Sequence, residues 1–425
     1  MRQGSCRPCY EDIPPREKPC GVKESDYSIV TEQEAKPRRP GFILLLIMLC
    51  AMSVTTTTIY LPAIPAITRD LQATAGEIQA TLSIYLVVYA FAQLVLGPLS
   101  DRYGRRPVLL FSLGVVVATT AACALAPSAQ ALLGFRLLQA IGACSGVVIG
   151  RVIVRDLYDR SEAARLLSII SASVTIAPAV GPALGGLIAD FLGWRYVFVF
   201  FTLGILGLLF WSAVALPETL TRRVGGLGLW AGIQADYRQL ISNPTFLAYA
   251  CCNFGIYGGF YTFMSEMPLV FVEGFGFSTA TYGLLSMVPI IGLFLGSSLN
   301  ARLTVALGLD RMLDMSVVML AVVAILGTLV IWVFATPWLV LVWLVVWTTA
   351  MGIIQPNALA GAMSINPAIA GAAAALIGFL QIMGGSIGSA AAAAVGSSSP
   401  MPMCMTILAL SLVSTIGWTA SRRWS

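Results

Sequence analysis

The sequence contains no histidine. That removes the residue most used as a general base and metal ligand, and with it most hydrolase triads and histidine-built metal sites. Charge is scarce too: Asp, Glu, Lys and Arg make up 11% of the 425 residues, against roughly 25% in an ordinary soluble domain. So few charges cannot coat a water-soluble surface. No nucleophile stands at a recognisable spacing from a base, and no glycine loop of the phosphate-binding kind is present. These absences argue against an enzyme. The net charge of +5 is spread over short segments instead of one patch, which argues against a nucleic-acid partner.

What is present is apolar. Hydrophobic residues reach 58%, in runs of about 20 that each match a hydrocarbon core of roughly 30 Å. The reading is an all-α membrane protein with a lipid bilayer as its solvent. Spans fall at about 41–61, 78–98, 107–126, 131–152, 164–190 and 196–216, then at about 244–272, 280–303, 312–334, 338–360, 370–394 and 400–420. Residues 1–40 mix charge and proline without periodicity and read as a disordered tail, 217–243 as a polar linker, and 421–425 as a short polar end. Cys6 and Cys9 have a C-x-x-C spacing, but without histidine or a fourth thiol in the tail they make a poor metal site, and no metal is expected. Cys20 also lies in the tail, and Cys50, Cys123, Cys144, Cys251, Cys252 and Cys404, in or beside apolar runs, read as small hydrophobes.

Arginine placement orients the spans. Arg102, Arg105, Arg106, Arg151, Arg155, Arg160, Arg165, Arg222, Arg223, Arg238, Arg302, Arg311, Arg422 and Arg423 fall on one side, and only Arg69 and Arg195 on the other. The positive-inside rule then puts both termini and the linker in the cytoplasm, with Lys36, Arg38 and Arg39 holding the tail there. Blocks 41–216 and 244–420 have 176 and 177 residues, the near-equality expected of two pseudo-symmetric six-helix bundles. Gly296 and Asn300, placed in the eighth-to-ninth connection, echo the spacing of Gly97 and Asp101.

Two ionisable groups lie deep in the spans, Arg136 and Glu266. Each is costly in lipid and must face a cavity or a partner, so both are functional candidates. Gly142, Gly146 and Gly150 follow Arg136 and Gln139 on one helix face and allow a close neighbour. Pro178, Gly181, Pro182, Gly185 and Gly186 crowd the fifth span, which reads as a kinked, close-packed hinge. Gly97-Pro98-Leu99-Ser100-Asp101-Arg102-Tyr103-Gly104-Arg105-Arg106-Pro107 reads as a connection at the water interface, where Asp101 can pair with arginines and helix ends as a latch.

Gly97 to Pro107 resembles the second-to-third-loop signature of the major facilitator superfamily. Arg136 to Gly150 is similar to its fourth-helix motif, and Gly181-Pro182 with Gly185-Gly186 to the fifth-helix motif of its drug antiporters. Tyr60-Leu61-Pro62-Ala63-Ile64-Pro65, Gly193-Trp194-Arg195 and Gln355-Pro356-Asn357-Ala358 resemble the bicyclomycin resistance and chloramphenicol efflux family. The resemblance implies a monomeric twelve-helix transporter of the bacterial inner membrane. It would export small amphipathic drugs against protons, with no cofactor beyond the proton gradient. By position it implies a cytoplasmic gate at Gly97, Asp101, Arg102, Gly104, Arg105 and Arg106, proton coupling at Arg136, and an antiporter hinge at Pro178, Gly181, Pro182, Gly185 and Gly186.

One position departs from that pattern. Where the family commonly has an aspartate before Ile59-Tyr60-Leu61-Pro62, this chain has Thr58, which cannot titrate. Glu266, in the seventh span that duplicates the first, is the deep carboxylate left to carry a proton. The resemblance also places the substrate cavity among the first, fourth, seventh and tenth spans. There Tyr60, Gln139, Asn253, Tyr257, Tyr261, Gln355 and Asn357 would offer aromatic faces and a few amides to a small molecule. The lost aspartate keeps open a metabolite facilitator or importer of the same fold. A receptor that kept the fold without transport is disfavoured by the deep charges.

Overall fold

The computed structural model describes residues 40–220, 228–366, 369–395 and 398–421, and they are almost wholly helical. The tail before them, with Cys6, Cys9, Cys20, Lys36, Arg38 and Arg39, lies outside the described residues, as do Arg222, Arg223, Arg422, Arg423 and the side chain of Arg160. The first six long helices are α1 (Pro40–Thr58), α2 (Ala75–Tyr103), α3 (Arg105–Ala124), α4 (Ala129–Ala143, resuming after Cys144 as Ser145–Leu157), α5 (Arg160–Leu192) and α6 (Trp194–Ala215). A linker helix, Gly228–Ile241, precedes α7 (Pro244–Pro268), α8 (Thr279–Leu285, resuming as Val288–Leu307), α9 (Leu309–Val333), α10 (Pro337–Ser364), α11 (Ala370–Ala393) and α12 (Met401–Ser421).

Local chemistry starts these helices where they start. Thr74 and Glu77 cap α2 reciprocally, Thr74 Oγ1 accepting the Glu77 N–H while Glu77 accepts the Thr74 N–H at 2.8 Å. Asn243 caps α7, whose first residue, Pro244, needs no N–H partner. Pro178 and Pro182 lie inside an uninterrupted α5, so the expected hinge is one continuous helix.

Among the described residues, eleven helical stretches are long and apolar enough to cross a membrane. The 25-residue α7 is as long but is not among them. Its polarity comes from Asn253, Thr262, Ser265 and Glu266 and several tyrosines, and nearly every residue from Phe246 to Pro268 is buried. Packed on α10, α11 and α12, it meets protein along most of its length, which is why its composition is tolerated.

The two halves repeat one pattern of neighbours. α1 packs on α4, α5 and α6, α2 on α4, and α3 on α4 and α6; six helices on, α7 packs on α10, α11 and α12, α8 on α10, and α9 on α10 and α12. The most extensive contacts between halves, α2 with α11 and α5 with the start of α8, are mates under the same offset.

The stretch Gly97–Pro107 is not the loop expected of it. α2 continues to Tyr103, Gly104 alone makes the turn at φ +109°, and α3 begins at Arg105. Only glycine takes that backbone conformation without strain. Gly308 (φ +81°) makes the corresponding turn between α8 and α9; Gly296 and Asn300, expected in a connection, lie inside α8, as Gly97 and Asp101 lie inside α2.

Candidate functional site

Arg136 projects from α4 into the middle of the first half and is 1% exposed. Its Nη1 donates to the Thr56 carbonyl at 2.8 Å and to Gln139 Oε1 at 2.7 Å. The guanidinium lies between the rings of Tyr60 and Tyr85, 4.2 Å from each centroid. Gln139 passes the chain on to Thr120 at 2.6 Å, and the Tyr60 hydroxyl bonds Thr81 at 3.0 Å. Among the described residues no carboxylate makes an ion pair with Arg136, and its Nε and Nη2 have no hydrogen-bond partner. Two aromatic faces and one backbone carbonyl therefore stand in for a counter-ion.

Glu266 is equally buried but differently placed. It stands two residues before α7 passes into a π-helical turn, Leu269–Gly274, and its Oε1 accepts from Gln79 Nε2 of α2 at 2.9 Å. That bond crosses between the halves. Close by, the Ser83 and Ser389 hydroxyls bond at 2.8 Å, and Ser386 donates to the Ser83 carbonyl at 2.8 Å. α5 meets α8 at the same end: a Cβ on Gly186 would lie 2.7 Å from the Thr279 carbonyl, and one on Gly283 would lie 2.8 Å from that of Pro182. The molecule is thus closed at the end remote from the Gly104 and Gly308 turns.

The α5 motif also receives α1. An added Cβ at Gly181 would lie 2.8 Å from Thr58 Oγ1, and one at Gly185 would collide with the Ile59 carbonyl. Thr58 is wholly buried in this contact. Gly181 and Gly185 therefore join α5 to the end of α1, Pro182 and Gly186 join it to α8, and Pro178 is buried in the same helix.

At the other end Asp101, Arg105 and Arg106 come together around Gly104. Arg105 pairs with Asp101, donates from Nε to Asp156 at 3.2 Å and from Nη1 to Ser100 at 2.7 Å. Glu218, just past α6, accepts the N–H groups of Arg105 (2.9 Å) and Arg106 (3.2 Å) and so caps α3. Arg102 stays outside this cluster, exposed and 5.4 Å from the Tyr103 ring, and Gly97 faces Val148 of α4. The described partners of this cluster belong to the first half and, in Glu218, to the start of the linker.

Most of the seven residues expected to line a cavity are engaged with other protein groups. Tyr60 and Gln139 are consumed by the Arg136 cluster. Asn253 bonds the Tyr249 carbonyl and Gln381, and Asn357 bonds Asn300 at 2.5 Å inside the α8–α10 contact. Tyr261 is buried against Gly385. Tyr257 and Gln355 remain half-buried, joined to each other at 2.5 Å. A buried amide needs partners whether or not a ligand exists, so residue type alone could not separate these roles. An apolar groove of about 330 Å³ between α2, α3 and α4, lined by Leu99, Tyr103, Phe111 and Ile141, holds none of the candidates and faces outward.

Gln79, Tyr85, Asp156, Glu218 and the Ser83–Ser389 pair escaped the sequence reading. The family signature Gly193-Trp194-Arg195 proves to be a clamp: Trp194 donates to Asp70 at 3.0 Å, and Arg195 forms an ion pair with the same carboxylate.

The family model of the Major Facilitator Superfamily matches residues 44–393. Multidrug resistance protein D of Escherichia coli (strain K12) is 28% identical over 389 residues, covering 89% of this chain and 95% of the relative. A chloramphenicol resistance protein of Pseudomonas aeruginosa is 37% identical over 260 residues, 60% of each chain. Among solved structures, a bacterial homolog of the human lysosomal transporter Spinster, in an inward-facing and unoccupied conformation, superposes with a TM-score of 0.72 at 17% identity, covering 91% of this chain and 98% of that one.

Proposed function

This chain belongs to the Major Facilitator Superfamily, a family of transporters, and from that premise we propose that it exports small amphipathic drugs of the phenicol or bicyclomycin type by proton antiport. It works as a monomer in the bacterial inner membrane, with the arginine-bearing turns and both termini in the cytoplasm. The closed end then faces outward. The names of the resistance-protein relatives support the substrate class.

The observation that carries the mechanism is Glu266, a carboxylate buried where the halves meet and held by a side chain from the opposite half. A group so placed changes its surroundings whenever the halves rock, and that change is what couples a proton to alternating access. Arg136 acts with it by fixing the first half through Tyr60 and Tyr85, which flank the α2 segment that holds Gln79. Tyr257 and Gln355 offer a ligand an aromatic face and an amide. Glu266→Gln abolishes drug accumulation in inside-out vesicles with an acid lumen; accumulation with unchanged pH dependence would overturn the assignment.

Thr58 favours a second reading, a metabolite facilitator of the same fold, since α1 offers no carboxylate at that position. Expression in an efflux-deficient bacterium separates the two: the exporter raises resistance to at least one phenicol, bicyclomycin or cationic dye, and the facilitator to none.

A further inference from the structure

The Glu266–Gln79 contact is half complete. Glu266 Oε1 accepts from Gln79 Nε2 at 2.9 Å and from the Ser265 hydroxyl at 3.5 Å. The other end of the same amide, Gln79 Oε1, is buried with no hydrogen-bond partner. Gln79 is wholly buried and Glu266 is 1% exposed, so water does not make up the deficit cheaply. A carboxylate beside a primary amide can only accept from its N–H. A carboxylic acid can do that and also donate its own proton to the amide oxygen. The donor that Gln79 Oε1 lacks is the one that a protonated Glu266 carries.

No other charge competes for that role. Among the described residues no Lys or Arg forms an ion pair with Glu266. Of the elements packed against α7, α10 and α11 carry no ionisable side chain and α12 has only Cys404. The turn after α1 brings Tyr60, already bonded to Thr81, and the linker helix brings Asp236, Tyr237 and Arg238 at the opposite end of α7. Glu77, two residues before Gln79, is folded back on Thr74; Tyr85 and Tyr89 lie further along α2, and Glu273 lies past the π-helical turn's midpoint.

We propose that Glu266 is protonated whenever this end of the molecule is closed, donating to Gln79 Oε1, so that Gln79 is the positioning residue through which proton loading closes the end. The idea rests on Glu266 being the coupling carboxylate. The closed form then holds one proton more than the open form, and closure increases as pH falls. In an exporter that order is the useful one: a proton taken from outside shuts the outer end and returns the carrier to its inward-facing state. A bare carboxylate at the same place leaves one amide oxygen unpaired and a buried charge without a cation, which favours opening.

The test is a spin-label distance between Gly76→Cys on α2 and Ala394→Cys beyond α11, in the full chain reconstituted in lipid, with the tail cysteines and Cys251 replaced by serine. A Cβ at Gly76 would lie 3.5 Å from the Ala393 carbonyl, so this pair reports closure without touching Gln79 or Glu266. The closed population is expected to rise on the order of tenfold from alkaline to acid pH, the worth of about one hydrogen bond. Glu266→Gln, whose amide supplies the missing donor permanently, stays closed at every pH. Gln79→Leu lowers the closed population about tenfold at acid pH, and adding Glu266→Gln to it does not restore closure. A wild-type pH profile in either single variant, or closure that rises with pH in the parent, overturns the proposal. If Glu266→Gln stops proton-driven transport yet leaves the pH profile of closure intact, the coupling assignment stands and the acid–amide pair falls. If it fixes closure while proton-driven transport persists, the pair stands and the coupling assignment falls.

Discussion

Arg136 and Glu266 are buried to the same degree, yet every described partner of Arg136 belongs to its own half, whereas Glu266 takes its main hydrogen bond from the other half. A group bound within one rigid bundle keeps its partners when the bundles move, and a group bound across the seam must exchange them. Burial alone therefore does not mark a coupling residue; the identity of the element supplying the partner does.

The comparison breaks most visibly at Arg136. Arg136→Ala removes two hydrogen bonds and two ring contacts from a sealed interior, and about 3 kcal/mol or more of stability should go with them. The readout is loss of folded protein in detergent thermal unfolding, before any transport assay. Glu266→Gln should do the reverse, leaving the melting temperature within a few degrees of the parent and removing proton-driven accumulation. Gly185→Ala tests the joint between the two regions, because its Cβ would meet the Ile59 carbonyl where α5 receives α1. A shift of roughly 1–3 kcal/mol and slower transport are expected, seen as a lowered melting temperature together with reduced initial efflux rate. Asp101→Asn should have the smallest effect on stability, about 1 kcal/mol, since Arg105 keeps Asp156 and Ser100. Its consequence for transport is a several-fold reduction with membrane insertion intact; normal rates would make the turn a topological marker only.

Much of this was legible in the amino-acid order because lipid penalises charge so heavily. The spans and the isolation of Arg136 and Glu266 follow from that penalty, and the contact role of Gly181 and Gly185 from the close approach a missing side chain allows. Gln79 was invisible for the opposite reason: a neutral amide near a span end costs little, and its partner lies 187 positions away. Glu218 looked like an ordinary linker charge until the fold set it over the first turn of α3. That Asn253 and Asn357 bond other helices could not be read from residue type, because an amide that ties helices together and one that meets a ligand look alike in sequence.

The polarity of α7 bears on how the protein is made. A segment with three tyrosines, an asparagine, several small polar residues and a glutamate near its end partitions weakly into lipid when it leaves the translocation machinery alone. Its companions α10, α11 and α12 are synthesised later, so α7 must wait at the edge of the membrane until they enclose it. Chains cut after α9 should therefore lose α7 from the bilayer, detectable as a glycosylation tag placed between α7 and α8 that stays unmodified, while chains complete through α12 carry the modification. Biogenesis of the second half is in this sense a single late event, fixed by the composition of its first helix.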